Sequence, residues 1–499
     1  MAESHTRSAY GTARQAGGGR RSSRRPAALI FFGAVVAVVL FVWALAAAFE
    51  YVDGLVVADS HRVAETGEIV RTRFGGPLTT AEIVDYLPER LRFRPVSWLF
   101  WPLQFSLVRD AIAVTGLVGF VSVFTMYAIW WERKVAAHIQ SRLGPMRVGG
   151  WHGWAQSLAD KIKLLTKEDL VPAGADRILY RLAPYMAFTP VLLAFVALPF
   201  GTYWVLRNLD VALLFVLAML GIEVIAVIVA GWASNNKWSL YGGMREASQM
   251  VAYESPMGLA LLVPIMLAGT LNLAAIGDQQ QAGFHMWVVF RNPFAAVAFV
   301  LYFVAALASC KRAPFDLPEA ESELVAGFMT EYSGFRWGVF FFAEYTSMFV
   351  VSGLATTLFL GAWYSPLPAG WGEALAGGGV VARAAHGLLF SGPLWFIAKC
   401  VALVYVQIWL RWTLPRVRID QVLYLFVQVL LPLGMVVLLG NTLWVFLVPE
   451  DGIVAVVANT LLCTAGVIVA AAFLGVAVVA RARRYRLVGS LAVDHLPGA

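Results

Sequence analysis

Residues 211–233 read VALLFVLAMLGIEVIAVIVAGWA, a run in which Glu223 is the only charged side chain. A helix of about 20 apolar residues spans the hydrocarbon core of a bilayer. Because lipid offers the backbone no hydrogen-bond partner, a run of this kind must be helical to cross a membrane. The stretch therefore predicts a membrane-spanning helix with one acid near its middle.

Similar apolar runs recur along the chain and give ten candidate spans. They are 28–49, 111–131, 184–206, 211–233, 253–275, 294–310, 338–362, 388–410, 424–447 and 453–480. Of the 499 residues 60% are hydrophobic and 14% charged, whereas soluble domains have about 45–50% and about 25%. The sequence predicts an all-α integral membrane protein with about ten transmembrane helices, and it excludes a water-soluble fold.

Lys and Arg are unevenly distributed between the two sides that these spans define. With the N-terminus in the cytoplasm, 27 of the 38 cationic residues fall in cytoplasmic segments and 10 in extracytoplasmic ones, and Lys399 lies in a span. Cytoplasmic loops carry this excess in multi-pass proteins. We therefore predict a multi-pass protein of the bacterial cytoplasmic (inner) membrane with both termini in the cytoplasm, and we do not expect a nucleic-acid partner.

The terminal segments differ from the centre of the chain in composition. For 28–49 a cleaved signal peptide is the alternative to a membrane helix, because Ala44-Leu45-Ala46 resembles a cleavage site. The predicted organisation is a disordered basic tail (1–27), an extra transmembrane helix (28–49), an extracytoplasmic insert (50–110), a membrane domain (111–447), a second extra helix (453–480) and a cytoplasmic tail (481–499).

The first cytoplasmic loop contains an amphipathic stretch, residues 154–167. Trp154, Leu158, Ile162 and Leu165 fall on one helical face, and lysines occupy the other. A helix with an apolar and a basic face lies in the headgroup plane of a membrane. The pattern predicts either a surface anchor or the wall of a site that opens to lipid, and it leaves both open.

Acidic residues are concentrated in the loop after the sixth span. Asp316, Glu319, Glu321 and Glu323 fall within eight residues. Asp316 followed three positions later by Glu319, with Pro318 between them, is typical of a capped helix start. Mutual repulsion among close carboxylates also raises some of their pKa values, which suits groups that hold and pass protons. Both interpretations remain open.

Ionisable residues also lie in or at the edges of spans: Glu223, Glu254, Glu344 and Lys399. A charge near mid-bilayer costs at least about 2.5–3.5 kcal/mol, so such residues usually face an interior path and a partner. Glu223 precedes Ser234 by eleven residues, which at a rise of about 1.5 Å per residue places it roughly 17 Å deep. The pattern predicts either a proton path or a structural Glu–Lys pair.

No nucleotide-binding, haem-attachment or zinc motif is present. The three cysteines, Cys310, Cys400 and Cys463, lie too far apart for ligand spacing. We predict no metal site, iron–sulfur cluster, flavin or catalytic residue in this chain, so any redox chemistry must come from partner subunits.

Four segments resemble the H subunit of the NADH–quinone oxidoreductase called complex I. They are Glu132-Arg133-Lys134 through Lys167-Glu168-Asp169, Gly231 through Glu254, Arg312 through Tyr345, and Leu414 through Gln421. The resemblance covers roughly 111–447 and implies an eight-helix core that maps onto the second through ninth spans. The first and tenth spans would then be extra helices, one at each end.

The resemblance implies a proton-translocating membrane subunit that shapes a quinone chamber and contains no redox centre of its own. It implies quinone as substrate, and as partners the soluble quinone-site and iron–sulfur subunits, the small membrane subunits that lead to antiporter-like subunits, and membrane lipid. The chamber residues would be Arg133, Arg142, Asp160, Lys163 and Arg245. An acidic proton path would include Glu254, Asp316, Glu319, Glu321, Glu323, Glu331 and Glu344.

The chain departs from the family pattern at several positions. An acid that often precedes the motif arginine is missing from the run Ala308-Ser309-Cys310-Lys311, and Glu246 occupies a position that is usually small. Our hypothesis is that Glu223 partly replaces the missing acid and belongs to the path. Met146 and Met329 also replace the residues usual in the family.

Two rival functions remain. The homologous membrane subunit of an energy-converting hydrogenase handles no quinone, but it usually lacks the full run present at 314–324. A solute transporter often shows two related halves, and this sequence shows no internal repeat. We also predict that the extra helices pack peripherally.

Overall fold

The computed structural model describes residues 106–202, 204–281, 283–366, 392–449, 452–468 and 472. Within these ranges every regular element is a helix and no strand occurs. Seven of the described helices are long and apolar enough to cross a membrane, and two more are apolar but shorter. The predicted all-α membrane class is confirmed. The predictions for 1–27, 28–49, 481–499 and nearly all of 50–110 lie outside the described residues.

The chain divides into two compact units, residues 1–164 and 165–499. The first unit holds α1, Ser106–Ile139, and the beginning of α2, Gln156–Thr166. After α1 the backbone turns at Gly144, which has a positive φ of 67° that glycine adopts readily. The Lys134 ammonium holds this turn by donating to the carbonyls of Leu143 and Pro145, at 3.2 and 2.5 Å.

Helix α2 is amphipathic, as the sequence predicted. Leu158, Ile162 and Leu165 are all exposed, and they share one face because their spacing follows the helical period. Apolar side chains left open in this way are typical of a helix that meets lipid or a partner.

The second unit holds eight further long or apolar helices. They are α3 (Arg177–Ala197), α4 (Ala212–Ala233), α5 (Lys237–Ala268), α6 (Pro293–Ser309), α7 (Gly334–Phe359), α8 (Gly392–Thr413), α9 (Ile419–Leu447) and α10 (Ile453–Ile468). Helix α9 includes a π-helical segment, Tyr424–Leu430. Short helices occur at Leu273–Asp278, Val288–Arg291 and Glu321–Leu324.

Asx caps fix where several of these helices begin. Asp176 accepts from the first backbone amides of α3, and Asn236 and Asn292 do the same for α5 and α6. A cap of this kind satisfies amides that have no partner within the helix. Helix α5 ends at Gly269, whose φ of 68° is the left-handed conformation common after a helix.

Helix α7 is the most deeply buried of the described helices, and every residue from 343 to 359 is buried. It contacts α3, α6 and α8, while α5 contacts α4, α6 and α9. Small residues such as Ala187, Ala226 and Ala230 lie between α3, α4 and their neighbours. Small side chains let membrane helices approach closely, which strengthens their van der Waals packing.

Nine of the ten predicted spans coincide with described helices, with shifted ends. The largest shift concerns the span predicted at 253–275, because α5 begins at Lys237 and ends at Ala268. Its first half carries Arg245, Glu246 and Gln249. Hydropathy alone does not identify such a segment as helical membrane structure, because a hydropathy window scores its polar side chains as unfavourable in lipid although Glu246 and Gln249 are buried within the protein.

Candidate functional site

A buried ionic network surrounds the loop that follows α6. Arg312 Nε lies 2.7 Å from Glu344 Oε1 on α7, and the two residues are 1% and 3% exposed. The Arg312 guanidinium also lies 4.2 Å from the centre of the Tyr345 ring. Two charges can be buried at tolerable cost only when they are closely paired. The pair therefore links the loop that follows α6 to α7, the most buried of the described helices.

Asp316, in the same loop, pairs with a residue that lies just before α9. Arg416 lies 3.0 Å from Asp316 and 3.2 Å from the Ser322 hydroxyl. Burial raises the pKa of Asp316 to about 6, although Arg416 and Arg312 lower it. The capped helix start, one of the two interpretations of this loop, is not found at Asp316: the next helix begins at Glu321, and no side chain caps it. Asp316 has a charged partner instead of a cap.

Glu319 lies within electrostatic reach of both ion pairs. Burial raises its pKa well above the ordinary value, and Glu344 and Asp316 raise it further, whereas Lys311 and Arg312 lower it. Its Oε1 is buried and has no hydrogen-bond partner among the described residues. Burial and the neighbouring acids thus shift the Glu319 carboxyl towards its neutral form, which is suited to proton exchange.

Lys311 places a second buried cation beside Arg312. Its ammonium lies 2.8 Å from Glu223 Oε1 on α4 and 4.0 Å from Glu246 Oε1 on α5. All three residues are at most 4% exposed. Glu223 thus has a buried cationic partner, Lys311, and this contact is compatible with both interpretations of Glu223.

An open cavity of about 420 Å³ lies beside this network. Its lining is Trp238, Tyr241, Met244, Arg245, Ser248, Glu323, Leu324 and Ile419. Arg245 pairs with Glu323 across it at 2.6 Å. The cavity therefore combines an aromatic wall with one paired cation.

Glu331 belongs to a separate polar contact at the start of α5. It accepts from the Asn236 amide at 2.5 Å, and its backbone carbonyl accepts from the Tyr180 hydroxyl at 2.7 Å. The Tyr180 and Tyr332 rings stack in parallel at 4.2 Å. Glu331 thus links α3, α5 and the segment before α7.

In the first unit the predicted chamber residues lie on α1, the loop after it and α2. Arg133 and Asp160 form an ion pair with 2.5 Å between Nη1 and Oδ2. Arg142 and Lys163 are exposed. Burial lowers the pKa of the neighbouring Lys161 to about 8. This unit therefore joins two of the predicted chamber residues directly.

Four of the predicted path residues lie outside the buried network: Glu331 and Glu323, described above, and Glu254 and Glu321. Glu254 is exposed on α5, next to the buried Tyr253. Glu321 is exposed in its short helix, although its charge acts on Asp316. The structure groups Glu223, Asp316, Glu319 and Glu344, and it pairs Glu323 with Arg245.

Known proteins resemble this chain along most of its length. The NADH dehydrogenase family matches residues 112–442. The H subunit of the NADH-quinone oxidoreductase of Anaeromyxobacter dehalogenans is 44% identical over 375 residues, which is 74% of this chain and 91% of that protein.

The chain belongs to the family of NADH-quinone oxidoreductase H subunits.

Two further H subunits are similar to the same degree. The protein of Chlorobaculum tepidum is 46% identical over 348 residues, or 68% of this chain and 93% of its own length. That of Geobacillus thermodenitrificans is 45% identical over 326 residues, covering 65% and 90%.

Three members of the ionic network were not predicted as site residues from the sequence: Lys311, Glu246 and Arg416. Lys311 and Glu246 stand out in the sequence only as departures from the family pattern, and their contact with each other was not foreseen. The sequence did contain a signal for this contact. Glu223, Glu246 and Lys311 are charged residues that are unusual for the family, and opposite charges in one membrane domain can pair with one another. Arg416 gave no such signal, because arginines flank many membrane helices.

Within the described ranges, no group of three or more His, Cys, Asp and Glu side chains could hold a metal ion. The groups that the network offers are carboxylates, ammonium and guanidinium, together with buried tyrosines. Such groups can bind, hold or pass protons and can stabilise charge on a ligand.

Proposed function

We propose that the chain is a membrane subunit of a proton-translocating NADH–quinone oxidoreductase, in which it helps to form the quinone chamber and begins the acidic path for protons. The observation that carries the proposal is the buried series Asp316, Glu319 and Glu344, whose charges act on one another inside a membrane domain. Membership of the H-subunit family supports it, since the relatives bear the name of that enzyme.

In this proposal the chain binds no redox group, and soluble partner subunits deliver electrons to the quinone. The small membrane subunits of the complex would connect its acids with antiporter-like subunits. The chain would lie in the bacterial cytoplasmic membrane with both termini inside, as the distribution of Lys and Arg indicates.

Each unit has a charged surface that would suit contact with quinone. In the first unit the Arg133–Asp160 ion pair joins α1 to α2. Arg142 and Lys163 are exposed, the first in the loop after α1 and the second on α2, which also has an apolar face. In the second, Arg245 and Glu323 border the 420 Å³ cavity. Cationic side chains stabilise negative charge on a quinone during reduction, and an apolar helix face suits a substrate that arrives from lipid.

The protonation of these acids would respond to a change of charge in the chamber. Reduction of quinone changes local charge, and a nearby carboxyl then shifts its protonation. Asp316 and Glu319 are suited to this role because burial raises both pKa values. That of Asp316 rises to about 6, and that of Glu319 rises well above its ordinary value. Glu344, Glu223, Glu254, Glu321, Glu323 and Glu331 complete the proposed path.

The first test is purification of the tagged chain in mild detergent. We expect it to bring along flavin and iron–sulfur subunits, with inhibitor-sensitive electron transfer from NADH to quinone and proton translocation in vesicles. A nickel hydrogenase in the preparation and no quinone reduction would contradict the proposal, as would recovery of the chain alone in active membranes.

The second test is Glu319→Gln. The amide keeps the size and hydrogen-bonding capacity of the neutral carboxyl but cannot release a proton. We expect proton translocation to fall by about tenfold or more, since a positioned proton-transfer group contributes about a hundredfold or more. Asp210→Asn, an exposed carboxylate before α4, is the control and should match wild type. Equal translocation in both variants would remove Glu319 from the path.

A further inference from the structure

The cluster of Lys311, Glu223 and Glu246 has one more carboxylate than it has cations. Lys311 is close to Glu223, at 2.8 Å, and more distant from Glu246, at 4.0 Å. Neither carboxylate oxygen of Glu246 has a hydrogen-bond partner among the residues that the structure describes, and the residue is 1% exposed. A buried, unsatisfied carboxylate is rare in proteins and calls for a physical explanation.

The cluster is held in a fixed geometry. Gln249, one helical turn after Glu246, donates to the carbonyls of Ala308 and Phe315, both at 2.9 Å. These two bonds fasten the loop that carries Lys311 onto α5. The backbone that carries Lys311 is therefore fixed against α5 one helical turn from Glu246.

Other titratable groups also face Glu246. Asp316 acts on it from the loop, Glu223 from α4, and Tyr253 from α5, one to two turns further along the helix. The Tyr253 hydroxyl hydrogen-bonds to the Ser309 side chain. Only Lys311 among these groups is cationic.

The charge balance decides which form of the cluster is stable. With both carboxyls ionised the cluster carries a net negative charge, and with one of them protonated it is neutral. A low-dielectric interior disfavours uncompensated charge, so the neutral form with one bound proton is preferred. Glu223 makes the short contact to Lys311 and is the ionised partner, which leaves the proton on Glu246.

We propose that Lys311, Glu223 and Glu246 form a buried proton-binding site, in which Glu246 takes up and releases one proton while Lys311 and Glu223 keep the protonated form neutral. The step forms and breaks one O–H bond on Glu246 and needs no other reactant. It rests on the proposed function, because the proton would be exchanged with the acidic path through Asp316.

Charge rescue in the purified complex tests the site. Glu246→Gln removes the exchangeable proton. Glu223→Gln leaves Glu246 as the sole counter-ion of Lys311, so Glu246 stays ionised. We expect each variant to lower proton translocation about tenfold or more. The double variant E223Q/K311M leaves Glu246 without a fixed counter-ion, so it can exchange a proton again and should recover most of the translocation that E223Q loses.

A second readout does not depend on turnover. The pH-difference infrared spectrum of the complex should contain a carboxylic-acid C=O band that is absent from E246Q and E223Q and present in E223Q/K311M, E246D and the control D210N. A fixed structural ion pair would give no such band and no rescue. If E246Q does not assemble, the comparison of E223Q with E223Q/K311M still decides.

The outcomes separate the two proposals. Wild-type complex that neither reduces quinone nor translocates protons would overturn the proposed function, while the infrared band would still support the site. The site alone would be overturned if the wild-type complex reduces quinone and translocates protons and either of two results is found. One is normal proton translocation by E246Q, and the other is no recovery of proton translocation in E223Q/K311M.

Discussion

At the scale of single residues, Lys399 and Lys311 show two ways to bury a cation. The Lys399 ammonium lies 4.1 Å from the centre of the Trp287 ring and within 3.2 Å of four backbone carbonyls, those of Leu360, Gly361, Ala362 and Tyr364. Carbonyls after a helix end lack intrahelical partners, and their partial negative charge favours a cation. Lys399 therefore stabilises the end of α7, whereas Lys311 is paired with carboxylates.

Asp316 gives a prediction about pH. Its pKa is raised from 3.8 to about 6 by burial, so the folded state binds its proton more tightly than the unfolded state does. The sign follows from linkage: this contribution, about 3 kcal/mol at most, is full below about pH 4 and is lost as the pH rises through about 6. Thermal unfolding of the detergent-purified chain between these pH values should show this slope.

The matched variant is Asp316→Asn, which cannot ionise. We expect its unfolding temperature to depend less on pH over the same interval than that of wild type. An identical slope in the two proteins would mean that Asp316 is already ionised at the lower pH.

At the scale of single elements, the amphipathic helix α2 was predictable from the sequence, whereas the start of α5 and its contacts were not. The spacing of Leu158, Ile162 and Leu165 predicted α2, and the structure leaves all three exposed. The start of α5 was missed because a hydropathy window scores Arg245 and Glu246 only as polar. Their contacts with Glu323 and Lys311 come from segments distant in sequence.

The double variant Ile162→Ser/Leu165→Ser separates the two interpretations of α2. Each replacement removes up to about 1.5–3 kcal/mol of favourable apolar burial in lipid. If α2 guides quinone from the membrane, KM for a long-chain quinone should rise while KM for a short, water-soluble analogue stays constant. Thr166→Ser, on the same helix, is the control.

A different result would favour the surface anchor. Reduced assembly of the chain into membranes, with both KM values unchanged in the complex that does form, would show that α2 only attaches the loop to lipid.

At the scale of the whole molecule, α10 leaves most of its large apolar side chains exposed. Seven of its apolar side chains are exposed: Ile453, Val454, Val456, Val457, Leu461, Val467 and Ile468. A hydrogen bond of 2.9 Å from the Asn459 amide to the His285 carbonyl links it to the segment before α6. The family match also ends before it, at residue 442.

Removal of residues 453–499 should therefore leave most of the quinone reductase activity of the assembled complex. Removal of 419–499 is the informative comparison, since it also deletes α9, which packs against α5 and α6, and we expect it to abolish assembly. Complete loss of assembly in the shorter deletion would show that α10 is required by the core.

The sequence by itself determined the helical membrane class, the positions of most spans and the family. These depend on hydropathy over about 20 neighbouring residues and on continuous motifs, which are local properties of the chain. Only the tertiary structure decided which charges pair, because Lys311 and Glu223 are 88 positions apart and Arg416 and Asp316 are 100 apart. The interaction energy of two charges depends on their distance and on their burial. Both are set by the packing of helices from different parts of the chain, so neither can be predicted from one segment of the sequence.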